Sequence, residues 1–279
     1  MTPGAAAATT ARRLPTRLVL LGAPVAHSLS PRFQNAALRA AGIPLQYEAL
    51  HVEPAAFATT FAALGREGAA GNVTIPHKEA AAAACDELTP LARRVGAVNT
   101  FWRDGERTVG DNTDVGGFAA LARTVMGSEP RDARVLVLGA GGAAAAVLVA
   151  IAGWPGASVS LHARTPERAE RLARRLGVPC RIVADPASAA ADADVVVNTT
   201  PVGLHDEAEP VPVDSLAAHA TVLDIVVRAG ETAWVRHARA RGLRAAGGLP
   251  MLVEQGALAF ERWFGRAPDR AAMWGAVAG

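Results

Sequence analysis

The residues of this chain best suited to moving a proton are Lys78 and Asp114. Of its 28 basic residues, one is lysine and the other 27 are arginine. Surface charge drifts freely between the two types, but arginine stays protonated at any useful pH, whereas a lysine amine can give up and take back its proton. A single retained lysine is what a position needing a titratable amine would leave. It stands in one of four polar islands within an alanine-rich chain. These are Ala26-His27-Ser28-Leu29-Ser30-Pro31, Gly71-Asn72-Val73-Thr74-Ile75-Pro76-His77-Lys78, Gly96-Ala97-Val98-Asn99-Thr100 and Gly110-Asp111-Asn112-Thr113-Asp114. Lys78 and Asp114 supply an amine and a carboxylate for proton transfer, while serine and asparagine grip the hydroxyls or carboxylate of a small ligand. The same types also build turns and caps: Asn112 and Asp114 suit a turn, and Ser30-Pro31 suits a helix start with proline at its first position. Capping does not exclude ligand contact.

A second constellation is Arg134-Val135-Leu136-Val137-Leu138 running into Gly139-Ala140-Gly141-Gly142-Ala143-Ala144 and then an Ala/Val/Leu helix. This is G-x-G-x-x-A between a strand and a helix. The first glycine permits the tight turn and the second lets a pyrophosphate approach the backbone. The small third position lets the helix pack closely, its N-terminal amides facing the anion. A glycine turn made only for packing has the same sequence, and the strand–turn–helix context is what favours a dinucleotide. The next strand ends Leu161-His162-Ala163-Arg164-Thr165, with Arg168 one turn on and no acid at its tip. An acid there would bond the ribose hydroxyls of NAD; two arginines suit a 2′-phosphate, hence NADP. Arg168 also fits the charged face of a helix over 166–176.

These residues need elements that bring them together. Strand candidates are Leu18–Leu21, Val135–Leu138, Val159–Leu161, Val195–Val197, Val222–Val226 and Arg244–Ala246, with helical periodicity in Pro166–Leu176 and Thr232–Arg241. Such alternation predicts parallel sheets with helices on both faces, and the islands fall beside strand ends or turns, where α/β folds place their sites. After Gly248 an amphipathic helical segment carries Trp and Phe residues able to pack back on the first half. Residues 135–161 hold no charge, but Gly139, Gly141, Gly142, Gly153, Pro155 and Gly156 break any helix of membrane length. Residues 1–16, rich in Ala and Thr, are expected to be a disordered tail.

Composition bounds the rest. At 279 residues and 51% hydrophobic, the chain is long enough for one large or two medium cores and too apolar for disorder. A net charge of +2 argues against a nucleic-acid partner, and a membrane partner is not expected either. Cys85 and Cys180 form neither a CxxC pair nor a metal spacing, so the expectation is a soluble protein of the reducing cytosol with no metal.

In this order, the four islands followed by the glycine turn resemble the shikimate dehydrogenase family. Its S-x-S-P, N-V-T-x-P-x-K, G-A-V-N-T and G-D-N-T-D motifs stand here, with its N-(A/T)-T-P-x-G segment at Asn198–Gly203 and its M-L-V-x-Q segment at Met251–Gln255. The resemblance covers roughly residues 17 to 265. It implies two α/β domains flanking a cleft: a substrate domain from 17–114 and 248–279, and an NADP-binding Rossmann domain from 115–247. It implies NADPH-dependent, reversible reduction of the C3 ketone of 3-dehydroshikimate to shikimate in aromatic amino-acid biosynthesis. Carried over by motif, Ser28 and Ser30 would hold the substrate carboxylate, Thr74, Asn99 and Gln255 its hydroxyls, and Lys78 and Asp114 would be the catalytic pair. The cofactor would lie on Gly139, Ala140, Gly141, Gly142, Ala143, Ala163, Arg164, Thr165, Arg168, Ile225 and Gly248.

The sequence departs from that pattern at several points. Where the family has D-x-x-Y-x-P, this chain reads Asp224-Ile225-Val226-Val227-Arg228-Ala229, which lacks the phenol and the proline. N-R-T becomes Ala163-Arg164-Thr165, D-N-T-D-G ends in Val115, and G-L-G-M has Pro250. A lost hydroxyl contact costs about 0.5–1.5 kcal/mol of binding. A paralogue acting on quinate or an aminated shikimate analogue is the alternative within the class, and a non-catalytic NADP- or shikimate-binding regulator the alternative outside it. Intact Ser28-Leu29-Ser30 favours shikimate over quinate, and intact Lys78, Asn99 and Asp114 favour an enzyme. Monomer and homodimer are both compatible with the sequence.

Overall fold

The computed structural model describes residues 14–278. Most of the tail expected over 1–16 lies outside the described residues. Thr16 is already tied down, its amide donating to the Gly68 carbonyl (3.1 Å) and its hydroxyl to that of Glu67 (2.7 Å). The first half contains β1 (Leu18–Gly22), α1 (Ser30–Ala40), β2 (Tyr47–His51), α2 (Phe57–Glu67), β3 (Ala70–Val73), α3 (Lys78–Ala84), β4 (Glu87–Leu88), α4 (Pro90–Val95), β5 (Thr100–Asp104), β6 (Arg107–Asp111) and α5 (Asp114–Met126). The second contains β7 (Arg134–Leu138), α6 (Gly142–Ile151), β8 (Ser158–His162), α7 (Pro166–Leu176), β9 (Cys180–Ile182), α8 (Pro186–Ala190), β10 (Val195–Asn198), β11 (Thr221–Asp224), α9 (Ala233–Ala240), β12 (Arg244–Ala246), α10 (Leu249–Phe264) and α11 (Arg270–Gly275).

Two six-stranded sheets result, ordered β2-β1-β3-β5-β6-β4 and β12-β11-β10-β7-β8-β9. The second is parallel throughout and reverses its winding between β7 and β10, the switch point at which open α/β sheets bind ligands. The first departs from the parallel expectation. β5 runs antiparallel to β3 and to β6, which it meets through a two-residue turn at Gly105-Glu106 with Gly105 at φ 57°. A two-residue hairpin cannot join parallel strands, so the tight turn at Gly105-Glu106 sets the mixed sheet locally.

Each sheet is packed on both faces. Leu18, Leu20 and Ala70 pack with Phe33 of α1, with Val253, Ala257 and Phe260 of α10, and with Met273 of α11, while Val19, Leu21 and Val73 pack with Phe57 and Phe61 of α2. In the second sheet Val135 and Val137 meet α6 and α7, and Leu136 and Leu138 meet Trp234 and Val235 of α9. Helix α6 is buried from Ala144 to Val149 because it lies between β7 and the α5 side of the molecule. The uncharged run from 135 to 161 therefore folds as strand, helix and strand. Among the described residues no helix is long and apolar enough to cross a membrane. Asp114 begins α5, which precedes β7, and Gly248 caps α10, which follows β12.

Candidate active site

Lysine at the start of α3 is there for something other than the helix, whose N-terminal dipole favours anions. Its ammonium donates to Asp114 Oδ2 at 2.6 Å, the two side chains being 17% and 8% exposed. The His77 ring fixes the approach to α3: Nε2 lies 2.6 Å from the Val52 carbonyl, and the ring stacks on Phe57 with centroids 4.5 Å apart. Asp114 sits at the N-terminus of α5, where the helix dipole favours its negative charge. Asn99 Nδ2 donates to Asp114 Oδ1 (2.8 Å), Thr113 Oγ1 (3.0 Å) and Gln255 Oε1 (3.2 Å). Two N–H bonds shared among three acceptors leave this amide able to exchange one for a ligand hydroxyl. Lys78, too, has two N–H bonds beyond the one donated to Asp114.

The cluster is held from several elements. The Lys78 carbonyl accepts from the Val98 amide (2.9 Å), which ties α3 to the segment carrying Asn99. Asn99 Oδ1 accepts from the Thr113 amide (2.7 Å), and its carbonyl accepts from the Val73 amide (2.9 Å) and from Asn72 Nδ2 (3.0 Å). Gln255 reaches in from α10, with its Nε2 bonded to the Leu252 carbonyl (2.8 Å). Thus Lys78, Asp114, Asn99 and Gln255, from four separate segments, form one hydrogen-bonded group.

Ser28, Ser30 and Thr74 are not part of it. Ser28 Oγ accepts from the Ser30 amide (3.2 Å), and Ser30 is buried in the first turn of α1; the helix starts where Ser-Pro suggested, but Leu29 takes the N-cap position, Pro31 is the second helical residue, and no side chain caps the helix. The Ser30 and Thr74 hydroxyls have no hydrogen-bond partner among the described residues, so both remain available to a ligand. Tyr47 does not replace the phenol missing at Val227. It is buried, its hydroxyl donates to Asn72 Oδ1 (2.8 Å), and burial pushes its pKa well above the ordinary value. The loop holding Ile225, Val226 and Val227 is fixed by Asp224, which accepts from Asn198 Nδ2 (2.9 Å), the Val226 amide (3.1 Å) and Thr232 Oγ1 (2.6 Å). Burial raises the Asp224 pKa despite these three bonds. Neither thiol is a ready nucleophile, since burial pushes Cys85 up to about 12 and Cys180 up to about 11.

The glycine turn faces the lysine. A Cβ placed on Gly142 would lie 3.8 Å from Lys78 Cδ, and one on Gly141 would meet nothing within 4 Å. Gly139 adopts φ 113°, and a Cβ there would press on Thr199 Oγ1 at 2.4 Å, so this position admits glycine alone. No side chain caps α6 at Gly141, which leaves its first amides for an anion. At the tip of β8, Arg164, Thr165 and Arg168 are exposed, Ala163 is half-buried, and neither arginine has an acid partner among the described residues. Ile225 and Gly248 touch: a Cβ on Gly248 would lie 2.4 Å from the Ile225 carbonyl oxygen. Open backbone approach, free helix amides and two unpaired arginines suit a phosphorylated dinucleotide. Among the described residues no group of His, Cys, Asp or Glu could hold a metal.

The sequence reading gave no role to Thr113, whose amide and hydroxyl both bond the Asn99 side chain, or to Asp111 with Arg262, described below. The seven-residue spacing of Gln255 and Arg262, which puts both on one face of a helix, is the signal that points to the latter.

Comparison with known proteins agrees with this geometry. Residues 20–101 match the model of the shikimate dehydrogenase substrate binding domain, and residues 248–278 that of the shikimate 5′-dehydrogenase C-terminal domain. Shikimate dehydrogenase (NADP(+)) of Geobacillus kaustophilus is 40% identical over 257 residues, 90% of this chain and 93% of that protein. The crystal structure of shikimate dehydrogenase from Aquifex aeolicus superposes with a TM-score of 0.89 at 34% identity, covering 95% of this chain and 98% of that one. Shikimate 5-dehydrogenase from Thermus thermophilus, solved in complex with NADP(H) and shikimate, gives 0.84 at 41% identity over 93% and 97% of the two chains.

Proposed function

Since the chain belongs to the shikimate dehydrogenase family, we propose that it is an NADP-dependent oxidoreductase that interconverts 3-dehydroshikimate and shikimate in aromatic amino-acid biosynthesis. The observation that carries this reading is the Lys78–Asp114 contact of 2.6 Å, facing the glycine turn at Gly142. Residues 17–114 with 248–279 act as the substrate domain and 115–247 as the Rossmann domain. Gly139, Ala140, Gly141, Gly142 and Ala143 take the pyrophosphate, Ala163, Arg164, Thr165 and Arg168 the 2′-phosphate side, and Ile225 and Gly248 the nicotinamide end. Bound NADPH supplies the hydride that reduces the ketone carbon. Lys78 gives a proton to the oxygen that becomes the hydroxyl, and in the reverse direction removes it. Its positive charge stabilises the oxyanion that develops on the way. Asp114 holds the amine in place through Oδ2, while Asn99 and Gln255, with Thr74, orient the neighbouring hydroxyls. Ser28 and Ser30 grip the carboxylate. Two free, poorly ionised thiols suit a protein of the reducing cytosol.

Nicotinamide absorbance tests the reading, with shikimate and quinate each offered with NADP and with NAD. Turnover of shikimate with NADP, well above the other three pairs, is expected. Turnover of quinate alone would move the assignment to a paralogue and make Val227 the reason. No turnover of either substrate would leave a binding protein.

A further inference from the structure

Asp111 is 1% exposed, yet it carries a carboxylate. Its Oδ1 accepts from Thr89 Oγ1 (2.5 Å) and the Asn112 amide (2.8 Å), and its Oδ2 from Arg262 Nε (2.7 Å). A turn at this point needs no charge, and a buried carboxylate is costly unless paired. Its location gives the reason for it. The Asp111 carbonyl accepts from the Asn99 amide (3.1 Å), and Asp111-Asn112-Thr113-Asp114 is the turn that ends on the carboxylate facing Lys78. Arg262 reaches it from α10, seven residues and two turns beyond Gln255, so one face of α10 delivers Gln255 to Asn99 and Arg262 to Asp111. Apolar contacts of α10 through Val253, Ala257 and Phe260 are non-directional, and close contacts at Gly117 and Gly256 set how near the helix lies to α5 and α1. A one-residue slip turns the helix face by about 100° and withdraws Gln255. Directional bonds oppose it: Trp263 Nε1 to Thr100 Oγ1 (3.0 Å), Gln34 Nε2 to the Gly256 carbonyl (2.9 Å), and the Arg262–Asp111 ion pair, which alone of the three ends on the turn that carries Asp114.

We propose that Arg262 and Asp111 are positioning residues that set the register of α10 against the Asp111–Asp114 turn, and thereby the placement of Gln255, Asn99 and Asp114 around Lys78. This rests on the reading of that group as the proton-transfer site. Arg262→Met keeps the aliphatic stem and removes the donor, Arg262→Lys restores a cation, and Arg266→Met is the control, since Arg266 bonds only the Ala41 carbonyl. Per native molecule, below the melting range, Arg262→Met should lower kcat about tenfold and raise the shikimate KM severalfold, with NADP affinity within about twofold. Arg262→Lys should recover most of the loss, and Arg266→Met should match the parent. A purely structural role predicts a lower Tm with kcat and KM per native molecule unchanged, which would overturn the proposal, as would equal losses in the Met and Lys variants. If Arg262→Met does not fold, Arg262→Gln is read the same way.

The single lysine provides a readout independent of shikimate. Trinitrobenzenesulfonate labelling of Lys78, followed by mass spectrometry of its peptide, should change rate severalfold in Arg262→Met and not in Arg266→Met. A parent enzyme inactive on shikimate with this difference intact would refute the substrate and keep the clamp. An unchanged labelling rate would refute the clamp.

Discussion

The proton-transfer role proposed for Lys78 is one that no other cation in the chain could fill. Arginine would keep the charge and reach Asp114, but it holds its proton at every pH where the protein is folded. Its planar fork would also fill the space beside Gly142, where an added Cβ would lie 3.8 Å from Lys78 Cδ. Lys78→Arg should therefore cut turnover by about 10²–10⁴-fold, while calorimetry finds shikimate affinity changed by less than about tenfold. Near-normal turnover would remove Lys78 from the proton-transfer step. Asn99 is fitted to its place in another way: its amide is shared among three acceptors, so a ligand hydroxyl can displace one without leaving a buried donor unpaired.

At the scale of elements, the site depends on how closely α5 and α10 cross. Gly117 lies one turn after Asp114, and a Cβ there would stand 2.8 Å from the Met251 carbonyl oxygen and 2.9 Å from Gln255 Cβ. Backbone cannot yield as a side chain can, so the helices must move apart. Gly117→Ala should cost about 1–3 kcal/mol in a urea titration and raise the shikimate KM, because the displaced residue is Gln255 itself. A destabilised variant with an unchanged KM would show that Gln255 does not contact substrate. Gly256, on the opposite side of α10, is close-packed in the same way, with a Cβ there 2.3 Å from Phe33. The helix that carries Gln255 is thus gripped from both α1 and α5.

At the scale of the whole molecule, one clamp far from the cleft ties β7 to the start of β10. Asp194 precedes β10 and accepts from the Arg134 amide (2.8 Å), Arg134 Nε (3.2 Å) and Nη2 (3.0 Å), and His219 Nε2 (2.8 Å). Bonding to the Arg134 guanidinium holds its carboxyl well below the ordinary carboxylate range, against the opposing effect of partial burial. A carboxylate whose pKa is lower in the folded than in the unfolded state contributes stability that is fully present above the unfolded value, about 3.9. That stability is lost as pH falls through the folded value. Asp194→Asn should therefore lower Tm by roughly 2–4 °C at pH 7, and the gap should close as the pH is taken from about 5 toward about 2. A gap constant with pH would mean that the clamp acts through shape alone.

Much of the second sheet was legible from sequence, because its strands are short apolar runs and its helices amphipathic. Pro166–Leu176 matches α7 end to end, and Val135–Leu138 misses only Arg134 of β7. The first sheet was read less well. Its central strands β3 and β5 carry Asn72 and Thr100, which are buried for their hydrogen bonds, so no apolar run marks them. β2 is an edge strand, exposed on most of its length. Residue types alone singled out Lys78, the glycine turn and the arginine tip of β8 as candidates, since charge state, missing Cβ atoms and the absence of an acid are properties of single residues. Only the tertiary structure decided that Asp114, Asn99 and Gln255, up to 156 positions apart, share one set of hydrogen bonds, and that Arg262 pairs with Asp111. Such pairings depend on the crossing of α5 and α10 and on the register of β3, β5 and β6, which are set by packing between segments remote in the chain.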